Sequence, residues 1–216
     1  MKLRKGEIIS LILVLMSFAV AWYFYPQLPE RIASHWDARG EVNGYTGRFW
    51  GAFLTPMILV VMFLVLVIVP RIDPKRENIE KFRAHFDRFI VLLFLFMLYL
   101  YGLTLAWNLG YVFDLMKFLA PAFAVLFYSA GMLIQHAEPN WTIGIRTPWT
   151  LSNPEVWERT HRLAQKLFKA SGILALLGFF FPDYFIWFIL IPVIVSSVWA
   201  VVYSYLEYRK LGGLRT

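Results

Sequence analysis

The chain contains no cysteine. That one absence removes structural disulfides, thiolate metal ligands and a cysteine nucleophile together. Charge is also scarce: 16% of the 216 residues are Asp, Glu, Lys or Arg, against 59% hydrophobic. A surface so poor in charge does not stay soluble, and the composition belongs to the membrane class. The loops that carry common chemistry are missing too, with no GxSxG, HExxH, Walker loop or GxGxxG anywhere in the sequence, so no enzyme is expected. A formal charge of +7 would suggest nucleic acid in a soluble protein, but basic loops between apolar spans are equally what anionic lipid headgroups select.

What is present is a series of long uncharged intervals, at 8–29, 49–70, 89–113, 118–137, 170–182 and 184–206. A helix of about 20 residues rises about 30 Å, the thickness of a bilayer core. Five of the six intervals reach that length. The fifth is short, but Ser152 or Asn153 can cap and Pro154 can open a helix that begins earlier. In it Val156, Trp157, Thr160, Leu163, Ala164, Leu167 and Phe168 recur at helical spacing, while Arg159, Arg162, Lys166 and Lys169 lie off the stripe and can snorkel. The spacing predicts one helix over 154–181. The expected fold is therefore all-α, a single six-span membrane domain over 1–216 with an outer loop at 26–49 and cytoplasmic loops at 70–88 and 136–166.

All the basic residues except Arg31, Arg39, Arg48 and Lys117 fall at the termini, including Lys2 and Arg215, or in the second and fourth connections. The positive-inside rule then places both termini in the cytoplasm of a multi-pass inner-membrane protein. With the charge explained by lipid, no direct nucleic-acid partner is expected. A competing reading takes "MKLRK" and the apolar run ending in "AVA" at 19–21 as a cleaved secretory leader; against it, Trp22, Tyr23, Phe24 and Tyr25 continue the run as an aromatic belt. No ionisable residue sits at a span centre, and sparse polar positions such as Asn108, Ser171, Ser196 and Ser197 do not make an ion path.

Two connections hold the candidate sites. In the outer one, Pro29 can open a short helix placing Ile32 and Trp36 on one membrane-directed face, with turns at "DARG" and "NGY". His35, Trp36, Asp37 and Tyr45 then form a contact surface; the blander alternative makes Trp36 and Tyr45 interface anchors and His35 a surface residue. His35 and Asp37 alone supply too few ligands for zinc. In the inner connection, "NWTIGIRTPWT" at 140–150 combines a bend at Gly144, an extended Thr147 before Pro148 and an interfacial Trp149 around Arg146. The Arg146 fork suits a carboxylate, a phosphate or helix C-terminal carbonyls. His85, His136 and His161 lie on the same side as Glu138 and Glu158. The i, i+3 pair Glu158 and His161, with His136, raises the alternative of a metal-dependent hydrolase; an ordinary helix surface with an ion pair explains it as well. No cofactor is expected.

The blocks "LPERIASHWDARGEVNGYTGR", followed by Pro56, and "NWTIGIRTPWTLSNPEVWERTHRLAQKLF" resemble the SdpI-type membrane immunity proteins. The second block is the more specific, because its N, G, R, T, P, W, T series followed by W-x-x-T-H is a long coincidence of residue types. The resemblance implies a six-span protein of the cytoplasmic membrane that protects a cell from a secreted, membrane-active peptide toxin. It also implies signalling, in which the toxin-occupied protein holds a cytoplasmic transcriptional repressor at the membrane. It assigns Pro29, His35, Trp36 and Gly40 to an outer signature and Asn140, Gly144, Arg146, Thr147, Pro148, Trp149, Trp157, Thr160 and His161 to an inner one. A purely structural partner subunit is the third class, and it predicts no phenotype from either loop.

Overall fold

The computed structural model describes residues 3–212, so Lys2 and Arg215 of the basic termini lie outside the described residues. Six helices are long and apolar enough to cross a membrane. In chain order the elements are α1 (Lys5–Phe24), β1 (Arg31–Trp36), β2 (Val42–Gly47), α2 (Arg48–Ile72), α3 (Arg76–Lys81), α4 (Arg83–Asn108), α5 (Leu115–His136), α6 (Pro148–Ser152), α7 (Pro154–Ala175), α8 (Leu177–Phe180) and α9 (Phe185–Lys210). The spans are α1, α2, α4, α5, α7 continued by α8, and α9. The expected helix 154–181 is thus present with a break at Leu176.

The bundle is two sets of spans. One set packs α1 against α2 and α4, the other packs α7 between α5 and α9, and α4 with α5 joins them. Outward positions such as Ile8, Ile12, Leu15, Val61, Leu64, Ile191 and Val198 are exposed and apolar, as lipid contact requires. Because lipid removes the hydrophobic drive between spans, close approach and interhelical hydrogen bonds hold them together. A Cβ at Gly172 of α7 would stand 2.7 Å from the Ala124 carbonyl of α5. The Ser171 and Ser196 hydroxyls join α7 to α9 at 2.9 Å.

The start of α1 and the end of α9 lie at one end of the bundle, the terminal face. There Glu7 of α1, its side chain fully buried, accepts from Arg83 of α4 at 2.7 Å and from Arg71 of α2 at 2.6 Å. Arg83 also reaches Asp87 at 2.7 Å, and the Arg4 N–H caps onto Glu7 at 2.9 Å. In the other set, buried Glu207 of α9 accepts from Arg159 of α7 at 2.9 Å and from Lys210 at 2.7 Å.

Pro56 lies inside α2 and has no N–H for the carbonyl of Ala52, one turn earlier. The buried Tyr101 hydroxyl of α4 donates to that carbonyl at 2.7 Å. Tyr101→Phe strands the oxygen in an apolar setting and is expected to lower stability by about 1–3 kcal/mol; thermal unfolding of the purified variant in detergent checks it.

Candidate functional site

At the end opposite the termini, the short helix expected over the outer connection is replaced by an antiparallel hairpin of β1 and β2. The correction has a local cause and a tertiary one. The Asp37 carboxylate accepts from the Arg39 N–H at 2.8 Å and the Glu41 N–H at 3.0 Å, and Gly40 takes φ +80, so "DARG" turns the chain back. Gly44 and Gly47 weaken any helix beyond it. The tertiary cause is Asn108 at the end of α4, whose side-chain amide accepts from the Ala33 N–H at 2.7 Å and donates to the Ala33 carbonyl at 3.0 Å. One side chain thereby pairs the outer edge of β1 as a third strand would.

The hairpin touches both sets of spans. Ile32, fully buried, packs with Ala21, Ala52, Tyr101 and Leu105 of the first set. It nests against Gly51, where a Cβ would stand 2.6 Å from it. Trp36 packs instead with the cluster around Leu115, Met116 and Ala120 of the second set and meets Trp107 edge to face at 6.0 Å. Its indole N–H is one of two buried side-chain atoms without a hydrogen-bond partner among the described residues; the other is the Thr160 hydroxyl. Ile32 is therefore held within the first set, while Trp36 reaches from Trp107 of α4 to the second set, rather than the two sharing one membrane face. Asp37 and Gly40 build the turn, while Pro29, His35 and Tyr45 are exposed, Tyr45 with the Arg31 guanidinium 5.3 Å over its ring. Asn108→Ala is expected to speed amide hydrogen exchange at Ala33 by about tenfold to a hundredfold, since two hydrogen bonds of about 1 kcal/mol each are lost.

On the terminal face the inner signature forms one network. Asn140 is fully buried and uses its whole amide: it donates to the Glu138 and Ile143 carbonyls at 2.7 and 3.0 Å and accepts from the Thr142 and Ile143 N–H groups at 2.8 and 2.6 Å. Gly144 takes φ +112, and a Cβ there would stand 2.4 Å from His161 Nε2. His161 stacks on Trp157 at 4.0 Å, its Nδ1 bonds the Trp157 carbonyl at 2.8 Å, and its Nε2 accepts from the Ile145 N–H at 3.1 Å. The Trp157 indole donates to the Ala137 carbonyl at 2.7 Å. Thr147 caps α6, in which Pro148 is the first residue, and its hydroxyl meets that of Ser204 on α9 at 3.0 Å. Trp149 packs on Tyr205 at 5.0 Å, and Thr160 is buried.

Asp73, after α2, clamps the loop from the other side. Its carboxylate accepts from the Trp141 N–H at 3.0 Å and from the Thr142 hydroxyl. Arg146, exposed, donates to the Trp141 carbonyl at 2.6 Å, so its fork holds a loop carbonyl of its own chain.

The three residues of the metal reading line one cleft but do not converge on a common point. Glu158 is exposed and pairs with Arg162, His161 is buried with both ring nitrogens engaged, and His136 stacks on His85 at 3.6 Å. Among the described residues no group of three His, Cys, Asp or Glu has the placement to hold a metal ion. Glu7, Arg83, Asp73 and Glu207 escaped sequence reasoning. The available signal was a charged residue near an apolar run, which also marks the ordinary end of a span.

Known proteins align with these two regions. A family model described as the SdpI/YfhL protein family matches residues 136–204, and a Domain of unknown function (DUF1648) matches residues 12–60. The first covers the terminal-face loop with α7 and most of α9, the second the hairpin with the adjoining parts of α1 and α2. The chain is 29% identical over 212 residues to the Immunity protein SdpI of Bacillus subtilis (strain 168), covering 98% of this chain and 100% of that protein. No solved structure matches. With six apolar spans, the signature loop and a similarity that runs nearly end to end, the chain is a multi-pass membrane protein similar to the SdpI/YfhL family.

Proposed function

We propose that this protein is a membrane immunity protein that binds a secreted, membrane-active peptide at the hairpin face and reports its presence to a cytoplasmic partner, without catalysis. The similarity to an immunity protein over nearly the whole chain supports the class. The positive-inside rule supports the orientation, since Arg71, Arg76, Arg83, Arg159 and Arg162 gather at the end that holds the termini. The hairpin then faces outward from the cytoplasmic membrane.

The observation that carries the reading is the double attachment of the hairpin, through Ile32 to one set of spans and through Trp36 to the other. A peptide held there has unequal contacts with two arrangements of the sets, which is what a ligand needs to shift their populations. His35 and Tyr45 are the exposed contact residues, beside Trp22, Tyr23, Phe49 and Trp50, apolar rings exposed in the flanking helices. Trp36, Asp37 and Gly40 set the shape that presents them, and Pro29 frames its base. On the other face, Arg146, Arg162 and Lys166 are exposed and offer positive charge to a soluble partner such as a transcriptional repressor.

A photo-crosslinking residue placed at position 45 tests the first half, with position 199 on the lipid-facing surface of α9 as control. Membrane-active peptides are expected to label from position 45 and not from 199. Equal labelling from both, or none from 45, contradicts the proposal.

A further inference from the structure

The seam between α4 and α5, which joins the two sets of spans, carries a histidine pair remote from the hairpin. His85 of α4 and His136 of α5 stack face to face, ring centres 3.6 Å apart and planes within 11°. They line a cleft of about 710 Å³ at the terminal face. His136 Nδ1 bonds the Met132 carbonyl at 2.9 Å, and the remaining ring nitrogens of the pair have no hydrogen-bond partner among the described residues. Lys81 and Arg162 stand on the same cleft, as do Glu138 and Glu158, of which Glu158 is occupied by Arg162. Gln135, also on the cleft, accepts from Lys169 at 2.7 Å.

An apolar groove of about 350 Å³ lies between the same two helices, lined by Leu92, Phe96 and Tyr99 of α4 and Pro121, Ala122 and Val125 of α5. On α4 these fall 7, 11 and 14 residues after His85; on α5, Val125 and Ala122 fall 11 and 14 residues before His136. Each interval is close to a whole number of turns, so the histidines and the groove share one face of each helix. At 1.5 Å per residue the groove begins about 10 Å below the ring pair and reaches about 20 Å. The seam thus presents cationic and imidazole groups at headgroup level and an apolar channel at acyl-chain depth.

We infer that the seam between α4 and α5 is a binding site for one anionic phospholipid, its phosphate at His85, His136 and Lys81 and an acyl chain along Leu92, Phe96 and Val125. A free phosphate uses only the upper part of the site and an apolar peptide only the lower. A phospholipid uses both, and here it also bridges the two sets of spans.

Purified protein, delipidated in mild detergent, is titrated with phosphatidylglycerol or phosphatidylcholine and read by native mass spectrometry and by melting temperature. Phosphatidylglycerol is expected to bind at least about tenfold more tightly than phosphatidylcholine, whose choline cancels the phosphate charge beside Lys81 and Arg162, the scale of about one unit of charge among cations at the membrane surface. His85→Phe/His136→Phe keeps the ring stack and removes its donors; it is expected to abolish that preference. Leu92→Trp fills the groove and is expected to weaken phosphatidylglycerol by about tenfold, the loss of a few buried methylenes. Equal binding of the two lipids, or undiminished phosphatidylglycerol binding in both variants, overturns the site. So does an equal rise in melting temperature from inorganic phosphate alone. Should the double variant fail to purify as a single species, Leu92→Trp decides by itself.

Discussion

Glu7→Gln is expected to be among the most destabilising single changes in the protein, at about 3 kcal/mol or more. The carboxylate is fully buried and is the counter-charge of two arginines from two other helices, Arg71 and Arg83. Arg83 is itself only 6% exposed. Removing one member of a buried pair leaves the other uncompensated, a loss of about 3–5 kcal/mol in general, whereas removing both charges is often close to neutral. Arg83→Met placed on top of Glu7→Gln is accordingly expected to return part of the lost stability, and the double-mutant cycle should show strong coupling. The readout is thermal unfolding in detergent. For a chain of this size a 3 kcal/mol loss corresponds to a fall of roughly 6–12 °C. A fall of 1 °C, with additive single effects, would mean that the buried cluster does not hold α1 to α2 and α4.

Gly144→Ala should do comparable damage in the terminal-face loop. Two costs combine: backbone at φ +112, where a side chain is strained, and a methyl 2.4 Å from His161 Nε2 and 3.3 Å from the Trp157 ring. The ring cannot move aside, because both its nitrogens are bonded and its face is stacked on Trp157. Strain of about 1–3 kcal/mol and overpacking of about 1–3 kcal/mol are expected together. Gly110→Ala separates the two, since Gly110 has φ +90 and nothing within 4 Å of an added Cβ. It should lose only the strain. Near-ultraviolet circular dichroism should report the disturbed Trp157 stack in Gly144→Ala and no change in Gly110→Ala.

The spans were legible because lipid requires continuous apolar helix, and the intervals between charges follow the structure nearly throughout. The long α7 was legible from its caps and its amphipathic start; its stripe holds Val156, Trp157, Thr160 and Ala164 in the core as expected, with His161 added. From the sequence His161 reads either as a metal ligand or as part of an ordinary helix surface, because a lone histidine between charged neighbours gives no sign that a glycine loop will close over it. The hairpin was illegible for a different reason. Ile32 and Trp36 are four apart, which suits a helix, and the partner that settles β1 as a strand is Asn108, 75 residues later. Asn108 itself had read as one more sparse polar residue in a span. Among the candidate residues, pattern alone could not separate those that shape a loop, such as Asp37, Gly40, Asn140 and Thr147, from those left exposed, such as His35, Tyr45 and Arg146.

That separation makes the most direct test specific. A sensitive bacterial strain expressing the protein is challenged with membrane-active peptides, comparing wild type with His35→Ala/Tyr45→Ala and Arg146→Ala at matched membrane expression. Wild type should protect against at least one peptide, the hairpin variant should lose that protection while remaining folded, and Arg146→Ala should keep it. Undiminished protection by the hairpin variant, or no protection by wild type against any peptide, would contradict recognition at the hairpin face.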